Sequence, residues 1–304
     1  MSAGALRVKL SWGLVVVWAP LFLLSVLQKT STFGVVAAGL QALILLIVVV
    51  LHGSLTNGWR GIGAFVLISA AVGFLLEASS IAWGFPFGYY THNMQTPFKP
   101  LGVPIPVVLG YVVLGWLAWN IARVLARNHP SDAGGLSALI TPIVATFVLA
   151  GYDYAYDPIG ATVLGLWTYR HPSGTFGVPL SNFLGWLFTG WAFFQIFALL
   201  ERRFPEPPTA KRADLWLLPC LIWCGLSLQY PILFSSSAEA IATRGAHSFM
   251  IADIYEAAIA ASLFTTVFTS VLAAFRIVLV ARAALQRPGA AQRGGFVPHR
   301  SLSD

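Results

Sequence analysis

Charged side chains are scarce in this sequence. Asp, Glu, Lys and Arg together make up 10% of its 304 residues, whereas hydrophobic residues make up 57%, and the mean hydropathy is +0.76. Soluble domains carry about 25% charged residues, so the composition excludes an ordinary soluble fold and indicates a chain that crosses a membrane repeatedly. No change of composition divides the chain. Residues 1–286 are therefore predicted to form a single transmembrane domain, followed by a disordered cytoplasmic tail over 287–304.

Cysteine is also nearly absent. Cys220 and Cys224 lie one helical turn apart in an apolar run, which favours packing residues over a disulfide framework or a zinc site. The six histidines are scattered, and the sequence contains no Gly-rich phosphate loop and no His-Glu-x-x-His pattern. No metal and no cofactor are therefore expected. The net charge of +7 does not indicate nucleic-acid binding, because the basic residues lie between apolar runs and set membrane orientation instead.

Apolar runs long enough to cross a bilayer, about 20 residues each, occur at eight places. They are predicted at 10–27, 34–51, 61–82, 102–122, 136–156, 178–200, 215–234 and 250–275. A signal peptide is the alternative for the first run, but no clear small-residue cleavage site follows it, so we interpret it as a retained span. The predicted fold is an all-α, polytopic integral membrane helical bundle of about eight transmembrane helices.

The positions of Lys and Arg predict the orientation of the bundle. With eight spans, fourteen of the 18 basic residues fall on one side, and the other side holds only Lys29, Lys99, Arg170 and Arg244. Cytoplasmic loops carry such an excess of positive charge. Both termini are therefore predicted to be cytoplasmic, in a protein of the cell (inner) membrane.

The few acidic residues divide between the two sides. Glu77, Asp153 and Asp157 fall in the non-cytoplasmic half, as do Asp253 and Glu256 at the start of the eighth span. Ionisable side chains inside a membrane are costly and usually functional, so we expect a site in this half. The cytoplasmic acids are predicted to be solvated loop charges; they are Asp132, Glu201, Glu206, Asp214 and Asp304.

Asp153 and Asp157 lie four residues apart at the end of the fifth run, so a helix would point both carboxylates from one face. Pro158 leaves two interpretations open. If it ends the helix, both acids lie in the headgroup interface; otherwise both are buried. The pair also resembles the aspartates with which membrane prenyltransferases hold magnesium diphosphate. That function needs a second acidic motif and several basic residues, and only Arg170 and Arg244 are near.

Two non-cytoplasmic loops, over 81–106 and 159–186, are rich in aromatic residues, Gly and Pro. Trp and Tyr favour the membrane interface, so an aromatic belt explains many of them. Loops this apolar are nevertheless expected to fold back onto the bundle. We predict a split, with Phe87, Tyr89 and Trp167 turned inward.

Several separated segments resemble, in order, one integral-membrane family. They are Glu77, Gly84–Tyr90, Val103–Pro106, Asp153–Pro158 and Gly177–Trp186. The family is the carotenoid biosynthesis family that includes CruF-type carotenoid 1,2-hydratases and bisanhydrobacterioruberin hydratase, and the likeness covers roughly residues 70–200. It implies addition of water to the terminal C1=C2 double bond of an acyclic carotenoid end group, with no cofactor.

Hydration of this kind begins with protonation of C2, which leaves a tertiary cation at C1 for water to capture. It requires a carboxylic acid that stays protonated in a low-dielectric site and aromatic faces that stabilise the cation. Glu77, alone in an apolar span, is the preferred proton donor, and Asp153 and Asp157 would orient the water or accept its proton. The residues expected to bind the substrate are Trp83, Phe87, Tyr89, Tyr90, Trp167, Arg170, Asn182 and Trp186.

Other functions remain open at this point. A carotenoid cyclase would use the same protonation but exclude water, and a membrane prenyltransferase-like enzyme is the alternative described above. A lipid- or carotenoid-binding or transport protein would use the acids for structure or proton coupling. The expected partners are an acyclic carotenoid, the lipid bilayer and other carotenoid-biosynthesis enzymes.

The sharpest structural expectation concerns the three acids of the non-cytoplasmic half. We expect Glu77, Asp153 and Asp157 to converge at the non-cytoplasmic end of a cavity long enough for a rod-like polyene. The alternative is that they pair with Arg170 or cap the helix that starts near Asn182.

Overall fold

A computed structural model describes residues 3–127, 135–237 and 240–285, and within them the chain folds as a helical bundle. Eight helical segments in these ranges are long and apolar enough to cross a membrane, which confirms the predicted all-α polytopic bundle. The helices are α1 (Ala3–Leu27), α2 (Thr32–Thr56), α3 (Gly58–Trp83), α4 (Ile105–Ala126), α5 (Ser137–Pro158), α6 (Leu180–Glu201), α7 (Ala213–Leu226), α8 (Gln229–Ser235), α9 (Ile251–Ser262) and α10 (Phe268–Leu285). Four short strands accompany them, β1 (Tyr90–His92), β2 (Trp167–Tyr169), β3 (Ile241–Arg244) and β4 (His247–Met250).

The helices extend beyond the apolar runs. Helix α1 begins at Ala3 rather than at residue 10, and α2 covers Thr32–Thr56 rather than 34–51. Ser31 caps α2 by accepting a 3.0 Å hydrogen bond from the backbone N–H of Gly34, which satisfies one of the donors that a helix start leaves free. The predicted tail over 287–304, as well as Asp132, lies outside the described residues.

Helix α5 carries two prolines and remains continuous. Pro142 lacks an N–H, so the carbonyl of Ala138 has no partner within the helix; the side chain of Gln195 on α6 donates to that carbonyl at 3.1 Å. Pro158 does not end the helical path, because a single π-helical turn, Ile159–Val163, follows it. The interpretation that placed Asp153 and Asp157 in the interface is therefore wrong: both are buried.

Helix α4 lies at the centre of the bundle, with nearly every side chain from Tyr111 to Val124 buried. Its tryptophans meet aromatic rings of α3 and α6. Trp116 makes an edge contact with Phe65 at 4.9 Å between ring centroids, and Trp119 stacks on Phe194 at 5.6 Å. This aromatic layer separates two groups of buried polar residues, one towards each end of the bundle.

The first polar group is an ionic cluster at the end where α4 and α6 terminate. Glu201 lies 2.6 Å from the guanidinium of Arg127 and 3.6 Å from that of Arg123, and it accepts a 2.8 Å hydrogen bond from Asn57. The prediction that Glu201 is a solvated loop charge is wrong, since the residue is only 5% exposed. Helix α6 continues to Glu201 and turns the carboxylate of this residue towards α4. Asp214, in contrast, forms an exposed pair with Arg212.

The opposite end of the bundle carries the small sheet formed by β1 and β2. We call it the sheet end; the sequence predicts it to be non-cytoplasmic. The strands are antiparallel, with Tyr90 opposite Tyr169 and His92 opposite Trp167. Because side chains alternate along a strand, these four turn towards the bundle while the threonine between each pair is exposed. Two loops distant in sequence thus form one lid over the helix ends.

The hairpin of β3 and β4 also lies at the sheet end. The guanidinium of Arg244 donates to the carbonyl of Ala161 at 3.0 Å, which satisfies an acceptor in the π-helical turn after α5. Asp253 and Glu256, which follow on α9, are exposed. They do not belong to the buried acidic group.

Candidate active site

Glu77 lies in the last two turns of α3, 4% exposed, and is surrounded by hydrogen-bonding groups. The hydroxyl of Tyr111 on α4 donates to Oε1 at 2.6 Å, and the hydroxyl of Tyr90 on β1 donates to Oε2. His92 places Nε2 3.0 Å from the same Oε2. Three side chains, one on α4 and two on β1, thus hold one carboxyl group, so its position is well defined by the fold.

Asp153 and Asp157 lie on one face of α5 and are hydrogen-bonded to each other. Asn182, in the first turn of α6, donates to Asp157 Oδ2, and Tyr169 on β2 lines the same small chamber as Asp157. Asp153 Oδ2 finds no hydrogen-bond partner among the described residues. Asp157 is therefore fixed by its neighbours, whereas Asp153 lies beside it on the wall of the larger of two adjacent spaces.

Two adjacent spaces meet at these acids. The larger is a cavity of about 600 Å³ among α2, α4 and α5, lined almost entirely by apolar residues but also by Asp153 and Asp157. The smaller is a chamber of about 60 Å³, lined by polar groups that include Glu77, Asp157 and His92. Four residues line both spaces and form the boundary between them; they are Val107, Asp157, Trp167 and Trp186.

The tyrosines of the small sheet act as hydrogen-bond donors. Burial raises the pKa of Tyr90 well above its usual 10.0, and the adjacent Glu77 raises it further. Burial likewise raises the pKa of Tyr169, with Asp157 as the next largest cause. Both hydroxyls therefore stay protonated at physiological pH and can donate to the carboxyl groups below them.

The structure brings together most of the residues that the sequence singled out. Glu77, Asp153 and Asp157 meet around the chamber and the cavity, and Tyr90, Phe87, Trp167, Asn182 and Trp186 line one or both spaces or bond to the acids. Phe87 and Trp167 turn inward as predicted.

Three predicted substrate-binding residues lie elsewhere. Tyr89 was expected to turn inward, and this is wrong: it is 43% exposed, because it precedes Tyr90 on an extended segment and so points to the opposite side. The guanidinium of Arg170 packs over the Tyr89 ring at 5.5 Å and forms no ion pair with a carboxylate among the described residues. Trp83 is 75% exposed.

Sequence reasoning missed three residues of the site, Tyr111, His92 and Tyr169. Tyr111 is a hydroxyl-bearing side chain in the outer part of an apolar span, a position where a polar atom needs a partner. That signal was available. His92 and Tyr169 offered none, because their positions depend on the pairing of two loops about 75 residues apart.

A set of three or more metal-binding side chains is not found in the described parts of the chain. The polar groups of the site are instead hydroxyls, carboxyls, an amide and one imidazole, which suit proton transfer and the binding of water.

Comparison with known proteins identifies a family whose matched range includes this site. The sequence profile of the family described as "Carotenoid biosynthesis protein" matches residues 33–244, a range that contains every residue of the site. Over 162 residues the chain is 28% identical to bisanhydrobacterioruberin hydratase of Haloarcula japonica, covering 51% of this chain and 52% of that protein. The chain thus spans about half the length of this curated relative. No solved structure matches it. The chain belongs to the carotenoid biosynthesis protein family.

Proposed function

We propose that this protein is a carotenoid 1,2-hydratase, which adds water to the terminal C1=C2 double bond of an acyclic carotenoid end group. The observation that supports the proposal best is the meeting of three carboxyl groups at the boundary between a large apolar cavity and a small polar chamber. The cavity suits a hydrocarbon chain, and the chamber suits a few water molecules. The name of the relative from Haloarcula japonica is consistent with the same reaction.

The aspartate pair is the proposed source of the proton. Asp153 lines the cavity, and its Oδ2 has no partner among the described residues. Two carboxyl groups in hydrogen-bond contact in an apolar site cannot both ionise, so one of them retains a proton. We therefore assign proton donation to Asp153, rather than to Glu77 as the sequence favoured, because Glu77 lines the chamber and not the cavity.

The reaction then proceeds in two steps. The carboxyl O–H of Asp153 gives its proton to C2, the π-electron pair forms the new C–H bond, and C1 becomes a tertiary cation. A water molecule in the chamber attacks C1 through oxygen and releases a proton to Glu77. Transfer of that proton through the chamber to the aspartate pair restores the protein, so the net change is the addition of one water.

Aromatic faces at the boundary stabilise the cation. Trp167 and Trp186 line both spaces, and an indole face attracts a cation within about 6 Å of its centroid. Trp186 is held in place by stacking on Tyr111, with 4.9 Å between the ring centroids. Tyr111 thus fixes both Glu77 and an indole ring.

The chamber favours a hydratase over a cyclase. A buried water needs two to four polar partners, and the chamber provides Glu77, Asp157, Tyr169 and Asn182. It also provides His92, whose Nδ1 has no partner among the described residues. A cyclase would need to exclude water from the cation, and this arrangement favours its capture.

Expression in a lycopene-producing host, with mass spectrometry of the pigments, tests the proposal. The wild-type protein should add the mass of one water per reacted end. Asp153→Asn and Glu77→Gln keep the shape of each side chain and should lower the yield roughly 100-fold or more, because each removes an acid–base group. Asp253→Asn, an exposed acid on α9, is the matched control and should react normally.

The alternatives predict different results. Near-normal hydration by both amide variants would refute acid–base catalysis by these residues. A ring-bearing product with no added mass would identify a cyclase. A protein that binds the pigment and leaves it unchanged would be a binding or transport protein.

A further inference from the structure

The exposed part of the cavity lining comes from two helices. Gly39, Ala42 and Leu43 on α2 and Pro106 and Leu109 on α4 line the cavity and are also exposed at the surface of the bundle. The lining residues contributed by the loops, α5, α6 and α7 are buried or half-buried. The mouth of the cavity is therefore flanked by α2 and α4, and it faces the lipid rather than the water beyond the helix ends.

The two flanking helices place glycines beside this mouth. Gly39 on α2 and Gly110 on α4 both line the cavity, and a Cβ atom added at either position would meet no atom within 4 Å. Many other glycines of the bundle touch a neighbour; a Cβ at Gly73, for example, would lie 2.7 Å from the Tyr111 ring. Close helix packing thus accounts for Gly73, but neither Gly39 nor Gly110 is needed for packing.

A polar side chain, that of Asp153, lies at the inner end of the cavity. Asp153 is 4% exposed and lines the cavity. The route from lipid to Asp153 passes the two glycines, while the sheet end above it is covered by Trp167 and Leu166, both half-buried. An apolar chain in the bilayer can follow this route without leaving an apolar environment, which avoids the cost of transfer through water.

We propose that the mouth between α2 and α4 is a lateral portal through which the long apolar substrate passes from the bilayer to Asp153, and that Gly39 and Gly110 set its width. The inference rests on the proposed function for the identity of the substrate, a linear polyene with a trisubstituted alkene end. The missing side chains leave room for the polyene. A larger residue at either position fills the portal without disturbing the protein core.

The test replaces each glycine by leucine. Gly39→Leu and Gly110→Leu should lower the yield of hydrated carotenoid roughly tenfold or more. The added side chain would take up space that the polyene needs, and two groups cannot share that space without overlap. Gly13→Leu is the matched control: Gly13 lies exposed on α1, has open space around it, and does not line the cavity. It should retain wild-type yield. Binding of lycopene to the purified proteins, followed by its absorption spectrum, should fall in the same two variants.

The two measurements separate the portal from the reaction. Wild-type hydration and lycopene binding by both glycine variants would overturn the portal and leave the proposed function intact. If the wild type binds lycopene without hydrating it and the leucine variants lose binding, the portal stands and the proposed reaction does not. An equal loss in Gly13→Leu would also overturn the proposal. If the glycine variants fail to fold, Ala42→Leu gives the same test from an exposed position beside Gly39, and normal binding by it would refute the portal.

Discussion

Replacing Glu201 by Gln should destabilise the bundle far more than replacing Asp214 by Asn. The two acids form ion pairs of nearly equal length, 2.6 Å to Arg127 and 2.7 Å to Arg212, but their side chains are 4% and 40% exposed. Glu201→Gln removes the carboxylate that two buried guanidinium groups contact. Removing one partner of a buried ion pair costs about 3–5 kcal/mol, because the attraction between the two charges is lost while the remaining charge stays buried.

The purified proteins should show this difference in a thermal unfolding scan in detergent. A loss of this size lowers the midpoint by on the order of 10 °C for a protein of 150–250 residues, and we expect a fall of similar size for Glu201→Gln. Asp214→Asn should change the midpoint little, since exposed ion pairs contribute little to stability. Hydration per folded molecule should be unchanged in both variants, because the aromatic layer separates these residues from the site. Equal midpoints for the two variants would refute the reasoning from burial.

Two further predictions concern the sheet end and the topology. The folded-state pKa of Tyr90 and of Tyr169 lies above the unfolded value of 10.0. The stabilisation linked to their protons is therefore present below pH 10 and is lost as the pH rises above it. The unfolding midpoint should fall above pH 10, and it should fall less steeply in a Tyr90→Phe, Tyr169→Phe double variant. An equal fall in that variant would assign the effect to other groups. Reporter fusions after Arg127 and after Arg170 should report opposite sides of the membrane, and a report from the same side would contradict the predicted alternation of spans.

Much of the fold could be predicted from hydropathy, since each span must be apolar over about 20 residues whatever its neighbours are. The acids of the site were predictable for a related reason: a charge in an apolar span is costly, so Glu77, Asp153 and Asp157 indicated a function. The same argument failed for Glu201. It lies at the end of a span, where hydropathy alone cannot show whether a side chain faces solvent or another helix.

The sequence by itself determined that eight segments are apolar enough to cross a membrane and that three carboxyl groups lie within these segments, because both follow from the free energy of placing single residues in lipid. Only the tertiary structure decided which groups those carboxyls meet. Tyr111 reaches Glu77 because α3 packs on α4, and His92 and Tyr169 reach the site because β1 pairs with β2. The opening beside Gly39 and Gly110 likewise depends on how α2 and α4 lie against each other. Contacts between segments distant in sequence depend on how the helices pack, and no local pattern of residues specifies that packing.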